Sequence, residues 1–320
     1  MLVTGVAGFI GFHVARALAA RGEAVVGIDN LDPYYSVRLK RDRLAQLPDG
    51  VRVIEGDFAD AAALDRLLDG VGFDRIVHLG AQAGVRHSID QPAAYGRANL
   101  VGHLNILELA RHRRVRHLVY ASSSSVYGEA GEGPLSVSAR ADRPISLYAA
   151  TKRSNELMAE SYAHLYRLPV TGLRFFTVYG PWGRPDMAAW LFTAAILERR
   201  PIRVFNGGAL RRDFTYVDDI VAGVLAALDR SPPDDGGGSP HALYNIGRGK
   251  PQGLGELIAA IERACGVQAI RELVPMQPGD VGSTFADIAP IARDLGYAPV
   301  TDIAEGIPRF VDWYRGYADA

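Results

Sequence analysis

The apolar residues in the first half of the chain fall into short continuous runs that alternate with amphipathic stretches. The runs predict strands at 1–3, 24–28, 51–55, 75–79 and 117–121. The stretches between them predict helices, among them 12–20, 60–68 and 100–112. Continuous apolar runs are typical of strands buried on both faces, and strands that alternate with helices form parallel sheets. The pattern therefore predicts an α/β fold, with a doubly wound parallel sheet of the Rossmann type over residues 1–175.

The pattern changes in the second half, where aromatic residues, glycine and proline become more frequent past about residue 180. A run of helix- and strand-breaking residues at 231–240 predicts a surface loop, and two later helices are predicted at 254–265 and 303–314. We expect residues 176–320 to form a smaller α/β part that binds the substrate and closes over the first domain. Some of its C-terminal segments are expected to return to the Rossmann domain.

Composition and charge exclude several classes of function. The formal net charge of −1 gives no overall field that would hold nucleic acid or an anionic membrane. No apolar run approaches the roughly 20 residues that span a bilayer, and the chain begins on strand-like residues without a visible signal peptide. A single cysteine, Cys265, allows no intramolecular disulfide, and no His/Cys spacing is typical of a zinc site. We therefore expect a cytoplasmic protein without a metal, a membrane or a nucleic-acid partner.

Three glycines at a regular spacing join the first strand to the first helix. Gly5, Gly8 and Gly11 let the backbone approach a pyrophosphate, and the helix N-terminus offers free N–H groups to it. Asp29 ends the second strand, 18 residues after Gly11, where a carboxylate accepts hydrogen bonds from an adenosine ribose and repels a 2′-phosphate. This favours NAD over NADP as the cofactor, although a strand–helix turn without a ligand has the same glycines. Asp57 and Phe58, after the third strand, fit a contact to adenine.

A tyrosine and a lysine four residues apart, Tyr148 and Lys152, lie on one face of a predicted helix. An ammonium beside a phenol lowers the pKa of the phenol, which then serves as a general base near neutral pH. The serine run 122–125 follows the fifth strand, at the sheet edge where open α/β folds bind ligands. A hydroxyl there relays a proton between substrate and Tyr148. Either motif alone also fits a solvated helix face or a polar turn.

These residues together resemble the extended short-chain dehydrogenase/reductase family, and within it the UDP-glucuronate 4-epimerases. The likeness covers nearly the whole chain and is carried by seven segments: IDNLDPYYSVRLK (28–40), HLGAQAGVRHS (78–88), ASSSSVYG (121–128), SLYAATKRSNELMA (146–159), RFFTVYGPWGRPDMA (174–188), RRDFTYVDDI (211–220) and MQPGDV (276–281). Galactose-type epimerases are similar in the first half, but an asparagine typically stands there at the position of Thr177.

The resemblance implies NAD-dependent 4-epimerisation of a UDP-sugar through a transient 4-keto intermediate, in a homodimer joined through helices near 100–112 and 148–166. It implies catalytic roles for Ser123, with Ser125 as the alternative, Tyr148 and Lys152. The implied NAD-binding residues are Gly5, Gly8, Phe9, Ile10, Gly11, Asp29, Asn30, Asp57, Phe58, Leu79, Gly80, Ala81, Gln82 and Asn99, together with Tyr148 and Lys152. The expected substrate-binding residues are Arg86, Ser124, Ser125, Thr177 and Arg184 at the sugar carboxylate, and Arg212, Gln277 and Asp280 at the UDP.

Three other activities fit much of the same pattern. A UDP-glucose/UDP-galactose-type epimerase has the same catalytic residues, and a UDP-glucuronate decarboxylase or a nucleotide-sugar dehydratase is built on the same scaffold. A non-catalytic NAD-binding protein has no need of the Ser, Tyr and Lys residues. The 4-keto form of a uronic acid is a β-keto acid, so an epimerase for such a sugar must prevent the loss of CO₂.

Overall fold

The computed structural model describes residues 1–129, 133–208, 210–275 and 283–318. The strands are β1 (Leu2–Thr4), β2 (Val25–Asp29), β3 (Val51–Glu55), β4 (Arg75–His78), β5 (His117–Ser123), β6 (Val170–Phe175), β7 (Thr177–Tyr179), β8 (Ile202–Phe205), β9 (Arg211–Arg212), β10 (Phe214–Tyr216), β11 (His241–Ile246), β12 (Gln252–Gly253), β13 (Arg271–Val274) and β14 (Ser283–Thr284).

The helices are α1 (Phe9–Ala20), α2 (Val37–Ala45), α3 (Ala61–Leu67), α4 (His87–Asp90), α5 (Pro92–Tyr95), α6 (Gly102–His112), α7 (Leu147–Tyr166), α8 (Ala188–Leu197), α9 (Val217–Asp229), α10 (Leu254–Cys265), α11 (Ala289–Leu295) and α12 (Ile303–Ala318). One π-helical turn, Gly96–Val101, leads into α6, and short 3₁₀ turns follow β5 (Ser124–Tyr127) and β8 (Asn206–Gly208).

The predicted parallel sheet is confirmed. Within the described residues it has seven strands in the order β11-β6-β5-β4-β1-β2-β3, every neighbouring pair parallel. The chain order reverses between β1 and β4, and such a switch point opens a crevice at the carboxyl ends of the strands. The glycine loop and the serine run both follow strands of this central region.

The second half of the chain forms small pairings and also rejoins the main sheet. Strands β7 with β10, β8 with β13, and β9 with β12 and β14 form the small pairings, while β11 adds an edge to the main sheet beside β6. Helix α9 packs against α1, and α12 packs against α8 and α10. Aromatic rings of Trp182, Trp190 and Trp313 cluster where α12 meets the loop before α8. Strand β11 thus belongs to the main sheet, while the division at residue 175 stays a prediction.

Local signals set the boundaries of the helix that carries Tyr148 and Lys152. The side chain of Ser146 accepts a hydrogen bond from the backbone N–H of Ala149 at 3.1 Å, which is the usual cap of a helix N-terminus. The helix ends at Arg167, whose φ of 54° lies in the left-handed region. Tyr148 and Lys152 therefore fall in the first two turns of a helix that starts at a fixed point.

Most predicted elements agree with the structure, with differences at their ends. Helix α1 begins at Phe9 and not near residue 12, because Gly8 is its N-cap and the glycine-rich motif runs into its first turn. The predicted helix at 100–112 is preceded by the π-helical turn, a feature common near functional sites. The breaker-rich segment 231–240 has no helix or strand, as predicted. Over the described ranges, none of the helices has the length and apolarity needed to cross a membrane.

Candidate active site

A cavity of about 360 Å³ lies at the carboxyl ends of the central strands. The predicted catalytic residues Ser123, Tyr148 and Lys152 all line it, as does Arg184 from the second half of the chain. The lining also contains every residue predicted to bind NAD except Asn99: Gly5, Gly8, Phe9, Ile10, Gly11, Asp29, Asn30, Asp57, Phe58, Leu79, Gly80, Ala81 and Gln82. Residues from seven separate stretches of the chain thus meet in one place.

The glycine loop forms a backbone cradle at one end of this cavity. A Cβ atom added to Gly11 would lie 2.1 Å from the carbonyl oxygen of Gly5, and one added to Gly8 would lie 2.9 Å from the same atom. Gly5 has a φ of +72°, and a Cβ there would lie 2.7 Å from the backbone nitrogen of Gly80. Larger residues do not fit at these positions, so the first turn of α1 presents bare backbone to the cavity, as a dinucleotide pyrophosphate requires.

Asp29 is buried at the end of β2, where its two carboxylate oxygens hold the neighbouring backbone. Oδ2 accepts a hydrogen bond from the Ala7 N–H at 3.0 Å, and Oδ1 accepts one from the Leu31 N–H at 2.9 Å. Burial raises the pKa of Asp29, and the nearby ammonium of Lys40 acts in the opposite direction. Each oxygen keeps a further lone pair for a ribose hydroxyl.

Asp57 and Phe58 lie beside the same end of the cavity. Asp57 accepts hydrogen bonds from the Ala59 N–H at 2.8 Å and from Nη2 of Arg97 at 2.7 Å. The ring of Phe58 closes on Gly80, where an added Cβ would lie 2.5 Å from it. This aromatic and polar pair forms part of the cavity wall, and its contact with an adenine stays a prediction.

Ser123 and Tyr148 form the polar centre of the cavity. The Ser123 hydroxyl lowers the pKa of Tyr148, and the positive charge of Arg184 also lowers it. Burial has the largest effect, however, and raises the pKa of Tyr148 above its ordinary value. The predicted lowering by Lys152 is wrong for the protein alone, because Nζ of Lys152 donates to the Ala121 carbonyl oxygen at 3.0 Å.

Burial lowers the pKa of Lys152 itself to about 8. An ammonium in a low-dielectric surrounding is costly without a paired anion. The side chain is 4% exposed at most, so its charge acts within the cavity and is weakly screened by solvent. Lys152 is thus a cation whose protonation state responds to a negative charge placed beside it.

The serine run divides into two residues that line the cavity, Ser122 and Ser123, and two that lie outside its lining, Ser124 and Ser125. Ser123 lines the cavity and accepts hydrogen bonds from the N–H of Ser125 at 3.2 Å and from its hydroxyl at 2.9 Å. Ser124 and Ser125 belong to the 3₁₀ turn and lie outside the cavity lining. This arrangement favours Ser123 over Ser125 as the hydroxyl that works with Tyr148.

Other predicted site residues lie outside the cavity lining and keep their roles as predictions. Asn99 is buried in the π-helical turn, where it bonds both backbone groups of Gln82 at 2.8 and 3.0 Å and the hydroxyl of Thr151 at 3.0 Å. It therefore supports the cavity wall at Gln82 from behind. Thr177 begins β7, and Arg86 lies over the Phe205 ring with its guanidinium 5.4 Å from the centroid.

The predicted UDP-binding residues are only partly described. Arg212 lies in β9 and donates from Nη1 to the Arg211 carbonyl oxygen at 2.9 Å. Gln277 and Asp280 lie outside the described residues. Of the three residues predicted to bind the UDP, the structure therefore describes Arg212.

Several cavity residues had no individual signal in the sequence. Lys40 and Tyr35 come from the segment after β2, and Lys40 donates to the Asp32 carbonyl oxygen at 2.6 Å. Arg97 and Met187 also line the cavity. The resemblance marked the segment 28–40 as a whole, but a charged helix such as α2 looks solvent-exposed by pattern, so it did not indicate that Lys40 points inwards.

Comparison with known proteins places this site in a family. Residues 1–247 match the model of the NAD dependent epimerase/dehydratase family. The chain belongs to that family. This epimerase/dehydratase family member is 46% identical to the probable UDP-glucuronate 4-epimerase of Rhizobium meliloti (strain 1021), over 98% of this chain and 96% of that protein. It is also 46% identical to UDP-glucuronate 4-epimerase 3 of Arabidopsis thaliana, over 99% of this chain and 76% of that protein.

A solved structure gives the same result in three dimensions. The crystal structure of UDP-glucuronic acid 4-epimerase from Bacillus cereus in complex with UDP-glucuronic acid and NAD matches with a TM-score of 0.90. The two chains are 32% identical, and the match covers 99% of each. The resemblance to the epimerases is confirmed over the full length of this family member.

Proposed function

We propose that this protein is a UDP-glucuronate 4-epimerase that interconverts UDP-glucuronic acid and UDP-galacturonic acid with NAD as its cofactor. The full-length similarity to UDP-glucuronate 4-epimerases carries the proposal. The cavity supports it, because Ser123, Tyr148 and Lys152 meet there beside a glycine cradle. The enzyme is an isomerase, since hydride removal and return leave no net oxidation.

The residues of the cavity fit NAD. The bare backbone of Gly5, Gly8 and Gly11 leaves room for a pyrophosphate that side chains would otherwise fill. Asp29 has free lone pairs for a ribose and a charge that disfavours a 2′-phosphate. When bound, NAD accepts a hydride from C4 of the sugar and returns it to the opposite face.

Tyr148 is the residue that moves the proton of the C4 hydroxyl. As a base it takes that proton while C4 is oxidised, and as an acid it returns the proton when C4 is reduced. Ser123 donates a hydrogen bond to the phenolate and so stabilises the charged form. The guanidinium of Arg184 acts in the same direction, since a phenolate in a low-dielectric cavity needs nearby positive charge.

The sugar carboxylate demands a second function from the site. Decarboxylation of a 4-keto uronic acid requires the bond to the carboxylate to align with the ketone π system. Arg184 is the cation in the cavity lining that is suited to hold the carboxylate out of that alignment, by bidentate bonding. Thr177, Ser124, Ser125 and Arg86 remain candidates for the same task. Arg212, with Gln277 and Asp280, is proposed for the UDP.

We also propose a homodimer through α6 and α7 and a cytoplasmic location. Large apolar side chains of these helices and of the π-helical turn before α6 are exposed, among them Val101 (49%), Leu104 (40%), Leu157 (56%) and Leu165 (63%). The two helices are joined by a hydrogen bond from Tyr162 Oη to Glu108 at 2.5 Å, so they present one continuous face. Clustered exposed apolar side chains are typical of protein–protein interfaces.

Product analysis with UDP-glucuronate tests the proposal directly. The expected result is a UDP-sugar inverted at C4, with no CO₂ and no net NADH, and no comparable turnover of UDP-glucose. Release of CO₂ with a UDP-pentose would indicate a decarboxylase, and preference for UDP-glucose would indicate the galactose-type activity. Tyr148→Phe is expected to remove nearly all turnover while NAD remains bound; near-normal turnover would contradict the assigned base.

A further inference from the structure

Arg184 is not alone in the cavity wall, because a neighbouring carboxylate holds its guanidinium. Nε of Arg184 donates to Oδ1 of Asp186 at 2.9 Å, and Nη2 donates to Oδ2. The paired side chains are 21% and 33% exposed. The bidentate geometry fixes the plane of the guanidinium as well as its distance. The pKa of Asp186 is held below its ordinary value, because the bonds and charge of Arg184 outweigh the effect of burial.

A tyrosine from the other half of the chain holds the same carboxylate. The hydroxyl of Tyr34 donates to Oδ2 of Asp186 at 2.9 Å, and the Tyr34 ring centroid is 5.9 Å from Cζ of Arg184. Tyr34 is itself confined: the His87 ring lies 4.5 Å away, and a Cβ at Gly84 would lie 2.6 Å from the Tyr34 hydroxyl. Oδ2 of Asp186 therefore accepts hydrogen bonds from both Arg184 and Tyr34.

The backbone that leads to Arg184 is also held. Trp182 has a φ of 62°, in the left-handed region that L-residues rarely adopt. Its carbonyl oxygen accepts two hydrogen bonds from the fully buried Arg43, from Nε at 3.1 Å and Nη2 at 2.8 Å, and Arg43 also bonds the Gly183 carbonyl at 3.1 Å. The backbone that precedes Arg184 is thus held in place. The conformational freedom that remains belongs to the Arg184 side chain.

The position of this guanidinium affects the catalytic phenol. Three ionisable side chains surround Tyr148: Lys152 from its own helix, Arg184 from the loop before α8, and Tyr95 from α5, whose ring centroid is 6.1 Å away. Arg184 is the residue of these three whose charge lowers the pKa of Tyr148. If the guanidinium moved away, its lowering of the Tyr148 pKa would be lost, and burial would raise that pKa further.

We propose that Asp186 is a positioning residue that fixes the guanidinium of Arg184 between the phenol of Tyr148 and the sugar carboxylate, with the Tyr34 hydroxyl holding Asp186 through Oδ2. This inference rests on the proposed function, because the carboxylate belongs to its substrate. Asp186 acts through Arg184 and does not touch the reacting atoms.

Two consequences follow if Asp186 is removed. The guanidinium becomes free to rotate away, so Tyr148 is harder to deprotonate and activity requires a higher pH. The sugar carboxylate also loses its restraint, so some of the 4-keto intermediate aligns for decarboxylation and CO₂ is released. A residue that merely stabilised the loop would change neither the pH profile nor the identity of the product.

The test uses Asp186→Asn, Tyr34→Phe and Arg184→Met, alone and in the double variant Asp186→Asn/Arg184→Met. The matched control is Asp142→Asn, because Arg140 and Asp142 form a pair of the same spacing, with Nε 2.6 Å from Oδ1, on the surface. Each variant is assayed with UDP-glucuronate for kcat/KM against pH and for the fraction of turnovers that release CO₂.

Asp186→Asn is expected to lower kcat/KM at pH 7 about tenfold, the loss of one charge-assisted hydrogen bond. In this variant, the acid limb of the pH profile of kcat/KM should move to higher pH, and the fraction of turnovers that release CO₂ should rise. Tyr34→Phe should show both changes to a smaller extent. The double variant should resemble Arg184→Met, because Asp186 acts through Arg184. Asp142→Asn should match the wild type.

Two results would overturn the inference while leaving the proposed function intact. In the first, the wild type epimerises UDP-glucuronate, but Asp186→Asn releases no CO₂ and the acid limb of its pH profile is unchanged or lies at lower pH. The other is additive losses in the double variant. If Asp186→Asn fails to fold, Tyr34→Phe decides by the same two readouts. A wild type without epimerase activity on UDP-glucuronate would instead contradict the proposed function.

Discussion

A buried carboxylate one helical turn beyond Lys152 allows a prediction that joins stability to activity. Glu156 is 2% exposed and accepts hydrogen bonds from Arg174 at 2.7 and 2.8 Å, from Ser122 at 2.6 Å and from Arg153 at 2.7 Å. Arg174 is equally buried. We predict that Glu156→Gln destabilises the protein and slows catalysis, since Ser122 adjoins Ser123 at the end of β5.

The size of the effect follows from the burial of the pair. Removing one charge of a buried ion pair costs about 3–5 kcal/mol, because the partner charge is left without compensation. Glutamine keeps one acceptor oxygen, so we expect the lower end, about 3 kcal/mol. For 320 residues, an unfolding entropy of about 2.1 cal/mol/K per residue converts this into a fall in Tm of roughly 4–5 °C.

Thermal melts and kinetics of two variants test the reasoning. In the double variant Glu156→Leu/Arg174→Met both charges are gone, so stability should recover above that of Glu156→Gln. Activity should not recover, because leucine offers the Ser122 hydroxyl no acceptor; we expect kcat of the double variant to fall about tenfold, or about 1.4 kcal/mol in the barrier. A Glu156→Gln protein that melts within about 1 °C of the wild type would refute the ion-pair argument, as would a double variant less stable than the single one.

The same pair gives a pH dependence with a defined sign. Burial raises the pKa of Glu156, but the hydrogen bonds and charge of Arg174, with those of Ser122 and Arg153, outweigh it and hold the pKa below its ordinary value. A depressed carboxyl pKa contributes stability above the unfolded-state pKa of about 4.3, and the contribution is lost as the pH falls further. In urea titrations the stability gap between wild type and Glu156→Gln should therefore be constant near neutrality and narrow in acid. A constant gap down to pH 3.5 would contradict the assignment.

Three further predictions concern the cofactor cradle, the cofactor preference and the dimer. Gly11→Ala should abolish NAD binding and lower the free energy of unfolding by about 1–3 kcal/mol, because the added Cβ would meet backbone atoms. The control Gly255→Ala adds a Cβ with nothing within 4 Å, so it should stabilise α10 by about 0.5–1 kcal/mol. Calorimetric titration with NAD measures the binding, and thermal melts measure the stability. Asp29→Asn should shift the NADP-to-NAD affinity ratio towards NADP by roughly tenfold, and an unchanged ratio would contradict the role of its charge. Leu157→Glu/Leu165→Glu should give monomers by light scattering, whereas Leu273→Glu, on an equally exposed side chain of β13, should not; a monomeric wild type would rule out the interface.

The part of the site that the sequence predicts is the part set by local geometry. The glycine loop, Asp29 and the serine run each follow an apolar strand, and parallel strands bring their carboxyl ends to one edge. Tyr148 and Lys152 share a helix face because they are four residues apart. Each of these inferences needs only the period of one element and the rule that parallel strands align.

The part that the sequence does not predict depends on contacts between distant segments. Arg43 lies in a helix of sequence VRLKRDRLA, which has the pattern of a solvated surface, yet its side chain is fully buried. Its donors are satisfied by the carbonyl oxygens of Ala7, Trp182 and Gly183. Backbone carbonyls carry no sequence signal, so nothing in the pattern indicates which arginine they will hold.

The state of Tyr148 shows where pairwise reasoning from a motif is insufficient. The spacing of Tyr148 and Lys152 predicts a depressed phenol pKa, but burial acts on both side chains at once, raising the pKa of Tyr148 and lowering that of Lys152. The ammonium is moreover bonded to the Ala121 carbonyl. In the protein alone, the cation that favours the phenolate is therefore Arg184, which the motif does not contain.

This distribution of charge couples the base to the residue that handles the sugar carboxylate. If Arg184 both stabilises the Tyr148 phenolate and bonds the carboxylate, a bound substrate carboxylate partly neutralises the guanidinium and makes deprotonation of Tyr148 harder. Lys152, with a pKa of about 8, then supplies the compensating charge, because an anion beside it favours its protonated form. Lys152→Met should consequently impair turnover of UDP-glucuronate more than it impairs NAD binding. In this variant, the acid limb of the pH profile of kcat should lie at higher pH than the acid limb of the pH profile of kcat/KM. Coincident limbs in the two profiles would show that the substrate carboxylate does not reach Arg184.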